Sequence, residues 1–184
     1  MQMDRKRSQL LVIDVQERLA PHVATEREVI ANVARLLQYA QRLDVPATVS
    51  EHYPKGLGAT VPELRELAGN TTPVLEKMAF SCWRDNWLHT RIEGLMAKGR
   101  DQVVVAGMET HVCVTQSVLD LIDNEFQVFV VADAVGSRDT RVRDIAVDRL
   151  RAAGATIVAQ EMVAFEWLGR GDDAAFKDII ALVK

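Results

Sequence analysis

A carboxylate, an amine and a thiol stand at three distant points of the chain, each at or just beyond the carboxyl end of an apolar run. They are Asp14 in QLLVIDV, Lys77 in TPVLEK and Cys113 in VVVAGMETHVC. A cysteine that attacks a carbonyl needs a base for its proton, a cation or dipole for the thiolate, and donors for the developing oxyanion. Asp14, Lys77 and two backbone amides would supply those roles. Cys113 lies where the strand pattern breaks at Gly107 and a helical pattern begins. The first turn of a helix presents unpaired N–H groups and the positive end of the dipole, which favours the thiolate.

Other residues near these three could touch a substrate. Gln16 either contacts it or holds the Asp14 loop by a local hydrogen bond. His111, two residues before the thiol, either donates to substrate or faces solvent. Phe80, Trp83 and Trp87 follow Lys77, and Phe80 is read as a wall of an apolar pocket. A lone histidine without partners, His52, is read as structural rather than a metal ligand. Cys82 is read as a bystander.

The elements that must position these side chains alternate along the chain. QLLVIDV, QVVVAGM (102 to 108) and QVFVVADA (127 to 134) are nearly continuous apolar runs, as strands buried on both faces of a parallel sheet read. PATVS, VLEK and ATIVA are shorter strands. Val29, Ile30, Val33, Leu36, Leu37 and Ala40 recur at helical spacing before Pro46. Further stripes are Leu88, Ile92, Leu95 and Met96, with Asp85 or Asn86 as cap, then Val114, Val118, Leu121 and Ile122, then Ile145, Ala146, Leu150 and Ala153. A short helix is expected near 62 to 68 after a loop rich in glycine and proline, and two short helical pieces in the tail. The pattern predicts an α/β domain with a mostly parallel sheet and right-handed crossovers. Ligands of such sheets bind beyond the carboxyl ends of the strands, where Asp14, Lys77 and the 108 to 113 segment all lie.

With 184 residues and 48% hydrophobic content the chain is expected to form one domain spanning 1 to 184. A net charge of −4 with both signs interspersed favours neither nucleic acid nor an acidic partner. There is no membrane-length apolar run and no signal-peptide core, so a cytoplasmic location is expected. The two cysteines have no CxxC spacing, which argues against a disulfide framework and structural zinc. No GxGxxG or P-loop sequence follows a strand. No cofactor is expected.

In four motifs taken in order, LLVIDVQ, VLEKMAFS, AGMETHVCV and VVADAVGSRD, the chain resembles the isochorismatase-like cysteine hydrolases, and most closely their isochorismatase domain-containing branch. The resemblance implies a Rossmann-like three-layer α/β/α fold with a six-stranded sheet in the order 3-2-1-4-5-6, and a homo-oligomer. It implies Asp14 as general base, Lys77 as the cation beside the thiolate and Cys113 as nucleophile. It also implies a cis Met108–Glu109 bond and an oxyanion hole made by the amides of Glu109 and Cys113. Two departures narrow the expectation. Nicotinamidases of this superfamily bind a metal through Asp-x-His after the second strand, where this chain has Ser50-Glu51-His52, so no metal is expected. Members that cleave isochorismate lack the cysteine, which this chain keeps.

The expected activity is hydrolysis of a small amide or related C–N carbonyl compound through a Cys113 thioester. The rivals are a non-catalytic ligand-binding or regulatory protein and a redox-sensing thiol.

Overall fold

The computed structural model describes residues 1–183. Strands β1 (Ser8–Ile13), β2 (Ala47–His52), β3 (Val74–Lys77), β4 (Gln102–Met108), β5 (Gln127–Gly136) and β6 (Thr156–Val158) form one sheet. All its pairings are parallel, and its order is β3-β2-β1-β4-β5-β6. The helices are α1 (Glu26–Arg42), α2 (Pro54–Leu57), α3 (Pro62–Ala68), α4 (Asn86–Met96), α5 (Thr115–Asp123), α6 (Thr140–Ala152), α7 (Gln160–Leu168) and α8 (Phe176–Val183). The expected six-stranded α/β architecture and strand order are both present.

The continuous apolar runs are continuous because each strand feeds two cores. Leu10 and Val12 of β1 pack with α1, α3, α7 and α8, while Leu11 and Ile13 pack on the other face with α4, α5 and α6. Val104, Ala106 and Met108 of β4 join the first core, and Val103 and Val105 the second. Alternate side chains point to opposite faces, so a strand covered on both faces has no polar position to spare.

The chain leaves β1 toward β2 on one side, and β4 continues on the other, which puts a topological switch point between the carboxyl ends of β1 and β4. Close approach there depends on Gly107. Its φ is 124°, and a Cβ at this position would lie inside contact distance of the Ile13 carbonyl oxygen. Gly107→Ala is therefore expected to destabilise the protein by about 3 kcal/mol, from a backbone angle that side chains rarely adopt and a clash with backbone. Urea unfolding of the soluble fraction measures it.

The structure corrects some boundaries and one stripe. β1 ends at Ile13, because Asp14 turns into the left-handed region at φ 51°. Aspartate tolerates that conformation better than most residues do. Ile145 is 68% exposed. The buried positions of α6 are Ala146, Val147 and Leu150, and one residue of helix rotation carries Ile145 off that stripe. Asp85 occupies the N-cap of α4, but its carboxylate accepts from the amide of Met78 at 3.4 Å and no helix amide is capped.

Candidate active site

Parallel register brings the three chemical groups together. Ile13 pairs with Ser50 and with Gly107, and His52 pairs with Lys77, so the ends of β1, β2, β3 and β4 lie side by side. Asp14 follows the first, Lys77 ends the third, and Cys113 follows the fourth through a π-helical turn, Thr110–Val114, that runs into α5. Thr115 Oγ1 donates to the Thr110 carbonyl at 2.6 Å inside that wide turn.

Lys77 Nζ stands 2.7 Å from Asp14 Oδ2, with both side chains fully buried. Nζ also donates to the carbonyls of Phe80 at 2.9 Å and Ala79 at 3.2 Å. Burial works against the charge on Lys77, but the Asp14 carboxylate outweighs it, and its pKa is raised. On Asp14, Ser50 Oγ donates to Oδ1 at 2.6 Å. Oδ2 faces the Lys77 ammonium, and as a carboxylate oxygen with more than one lone pair it has room for a further donor.

Cys113 is 6% exposed, and its thiol is close enough to Asp14 and Lys77 for both to act on its proton affinity. Burial pushes the thiol well above its ordinary pKa, the charge of Asp14 adds to this, and Lys77 opposes it. The resting arrangement is a neutral thiol beside an ion pair. Helix-start placement favours a thiolate, but here desolvation is the larger effect.

The Met108–Glu109 peptide bond is cis, as the resemblance implies, and the Glu109 amide N–H has no acceptor among the described residues. The Glu109 side chain is held by Arg138, whose Nε and Nη2 reach its two carboxylate oxygens at 2.9 and 2.7 Å and whose backbone N–H adds a third bond at 3.1 Å. Hydrogen bonding from Arg138 outweighs burial and holds this carboxyl below the usual carboxylate range. A carboxylate depressed in the folded state stabilises above its unfolded pKa of about 4.5, and that stability is lost as pH falls through the folded value. Arg138→Ala is expected to lower stability by about 1 kcal/mol at pH 7, since the guanidinium is largely exposed. The difference from wild type should fade in melts below about pH 4.

The other candidates separate. Gln16 is fully buried and donates to the carbonyls of His52 at 3.0 Å and Gly58 at 2.7 Å, while its Oε1 accepts from the His52 amide at 2.7 Å. It stitches the Asp14 loop to the segment after β2. Phe80 is half exposed, and its ring lies 5.3 Å from that of His52. His52 has its pKa lowered by burial and by Lys77, and its Nδ1 has no hydrogen-bond partner among the described residues. His111 Nδ1 pairs with Ser137 Oγ at 3.0 Å. Glu51 is occupied by the amide and hydroxyl of Thr60, both at 2.7 Å. No group of three or more His, Cys, Asp or Glu side chains suited to a metal occurs among the described residues. A separate hollow of about 240 Å³, lined by Thr25, Asp133, Ser137 and Arg143 among others, includes none of Asp14, Lys77 and Cys113. Sequence reasoning missed Ser50 and Arg138, the residues that fix Asp14 and Glu109.

Residues 8–162 match the isochorismatase domain model. Isochorismatase domain-containing protein 1 of Danio rerio is 38% identical over 173 residues, covering 93% of this chain. The chain spans 59% of that relative's length. Among solved structures, the MAR1 ribonuclease of Caenorhabditis elegans superposes with a TM-score of 0.91 at 35% identity, covering 100% of this chain and 92% of that one. YcaC from Pseudomonas aeruginosa, solved with hexane-2,5-diol and covalent acrylamide, gives 0.88 at 28%, covering 98% and 91%. The Escherichia coli YcaC gene product, described as an octameric hydrolase of unknown specificity, gives 0.88 at 27%, covering 99% and 90%. With the family model matched over most of its length, the chain belongs to the isochorismatase domain family, and the relatives it matches include isochorismatase domain-containing proteins.

Proposed function

We infer that the protein is a cysteine hydrolase of small amides or related C–N carbonyl compounds. The observation that carries this is a nearly buried thiol beside a buried Asp14–Lys77 ion pair whose Oδ2 still has room for a proton. Family membership supports the hydrolase class. In the reaction, Asp14 Oδ2 takes the Cys113 proton as Sγ bonds to the substrate carbonyl carbon. The resulting oxyanion accepts from the Glu109 and Cys113 amides, and Lys77 balances the negative charge on the neighbouring groups. The C–N bond then breaks, and Asp14 returns the proton to the departing amine or ammonia. Asp14 next takes a proton from water, whose oxygen attacks the thioester. The acid leaves and the proton goes back to sulfur.

A resting thiol suits this sequence. The proton is transferred as the carbon–sulfur bond forms, so no exposed thiolate waits for adventitious oxidants. Substrate walls come from Phe80 and His111. Gln16, whose amide hydrogens are committed to backbone, acts by positioning the Asp14 loop. Covalent acrylamide in the Pseudomonas YcaC structure is in keeping with an electrophile-accepting site in this fold.

The test is a panel of small amides, carbamoyl compounds and hydroxamates assayed for acid or ammonia release. Cys113→Ala serves as control, and an RNA arm is included because a structural neighbour is a ribonuclease. Release from an amide that the variant does not catalyse supports the reading. RNA cleavage with no amide hydrolysis would sink it. Met78, Phe80 and Trp87, after β3, expose large apolar side chains, and a neighbour is octameric. A homo-oligomer is expected accordingly, and light scattering coupled to size exclusion should give a mass above the 20.5 kDa of one chain.

A further inference from the structure

Behind Oδ1 of Asp14 runs a chain of two donors. Ser50 Oγ donates to Oδ1 at 2.6 Å, and Cys82 Sγ lies 3.7 Å from Ser50 Oγ. Ser50 and Cys82 are both fully buried, on β2 and in the turn before α4. The Cys82 amide is itself anchored by Ser117 Oγ of α5 at 2.9 Å. Burial, with Asp14 adding to it, pushes the Cys82 thiol up to about 11, so it keeps its proton at neutral pH. A protonated thiol donates, which makes Ser50 its acceptor. Ser50 has one proton of its own and an ionised carboxylate can only accept, so that proton points at Oδ1. The two oxygens of Asp14 are thereby made unequal: Oδ1 holds the directed Ser50 donor, and Oδ2 faces the Lys77 ammonium at 2.7 Å.

We propose that Ser50, backed by Cys82, is a positioning residue that assigns proton transfer from Cys113 to Oδ2 of Asp14. This rests on Cys113 being the nucleophile and Asp14 its base. Without the Ser50 bond the carboxylate is free to rotate about its last torsion, and the oxygen facing the thiol is no longer fixed. The proton itself passes only from sulfur to Oδ2, while Ser50 keeps its own. Cys82 ceases to be a bystander: it holds the Ser50 hydroxyl in the rotamer that reaches Oδ1.

The test is the rate of Cys113 alkylation by iodoacetamide at pH 7, read by peptide mapping. The proteins are wild type, Ser50→Ala, Ser50→Thr, Ser50→Val, Asp14→Asn and the double variant Ser50→Ala/Asp14→Asn. Ser50→Ala is expected to react about 10-fold more slowly, and Ser50→Thr to stay within about 3-fold of wild type. Ser50→Val has the shape of Thr without the hydroxyl, so any effect of the added methyl on folding is common to both. Val is expected to react as slowly as Ala. In the Asp14→Asn background, Ser50→Ala should change the rate less than 2-fold, because a residue acting through Asp14 has nothing left to position. Equal rates for Thr and Val, or an undiminished Ser50→Ala effect on top of Asp14→Asn, would overturn the proposal. If Asp14→Asn reacts as fast as wild type or faster, the base assignment itself falls, a result separable from any failure at Ser50.

Discussion

Cys113→Ala is expected to lose turnover by about 10⁴-fold or more, the scale on which removal of a covalent nucleophile acts. The fold should survive. Cys113 is nearly buried, but the change removes only one sulfur atom. A small void of this kind costs about 1 kcal/mol. The Asp14–Lys77 pair and the Ser50 bond are left as they are. Circular dichroism melts alongside product release check both halves. An unfolded variant would make the activity loss uninformative about chemistry, and a folded variant with measurable turnover would remove Cys113 from the mechanism.

The second large effect falls on stability. Asp14 and Lys77 have no exposed side-chain surface, so a single replacement strands one charge in the interior. Removing one partner of a buried pair costs about 3–5 kcal/mol, mostly because the survivor is uncompensated. Asp14→Asn is the sharper case. The Asn oxygen can still accept from Ser50, but its amide hydrogens then face the Lys77 ammonium. Lys77→Met leaves a carboxylate with only Ser50 as donor. The double variant Asp14→Asn/Lys77→Met is expected to be more stable than either single one, since it carries no unpaired charge. Guanidinium unfolding of the four proteins measures the coupling. Additive losses would mean that the two side chains do not balance one another in the interior.

What was legible in the sequence was whatever local pattern dictates. β4 matches its expected bounds because three successive valines followed by small and apolar residues suit a strand covered on both faces. α3 matches because Pro62 opens it and Gly69 closes it. The long-range contacts were legible only where motif order stood in for geometry. Asp14, Lys77 and Cys113 could be placed at strand ends, but the Ser50 bond to Asp14 needs the register of β1 against β2, which no single segment carries. Arg138 escaped for the same reason, being 29 residues from its partner Glu109. At Cys113 the helix start and the packing act in opposite directions. A helix start is visible in a sequence, whereas the desolvation that raises this thiol comes from packing between β4 and its neighbours. Ile145 was misplaced because β-branched apolar residues on an exposed face are indistinguishable, residue by residue, from core.

The central claim is that Cys113 is a nucleophile served by Asp14. It is tested most directly by incubating the native protein with acrylamide and locating the adduct by intact mass and peptide mapping. The account predicts a single adduct on Cys113 in the wild type, none in Cys113→Ala, and at least about 10-fold slower formation in Asp14→Asn. An adduct confined to Cys82, or rates that are equal or higher without the Asp14 carboxylate, would contradict it.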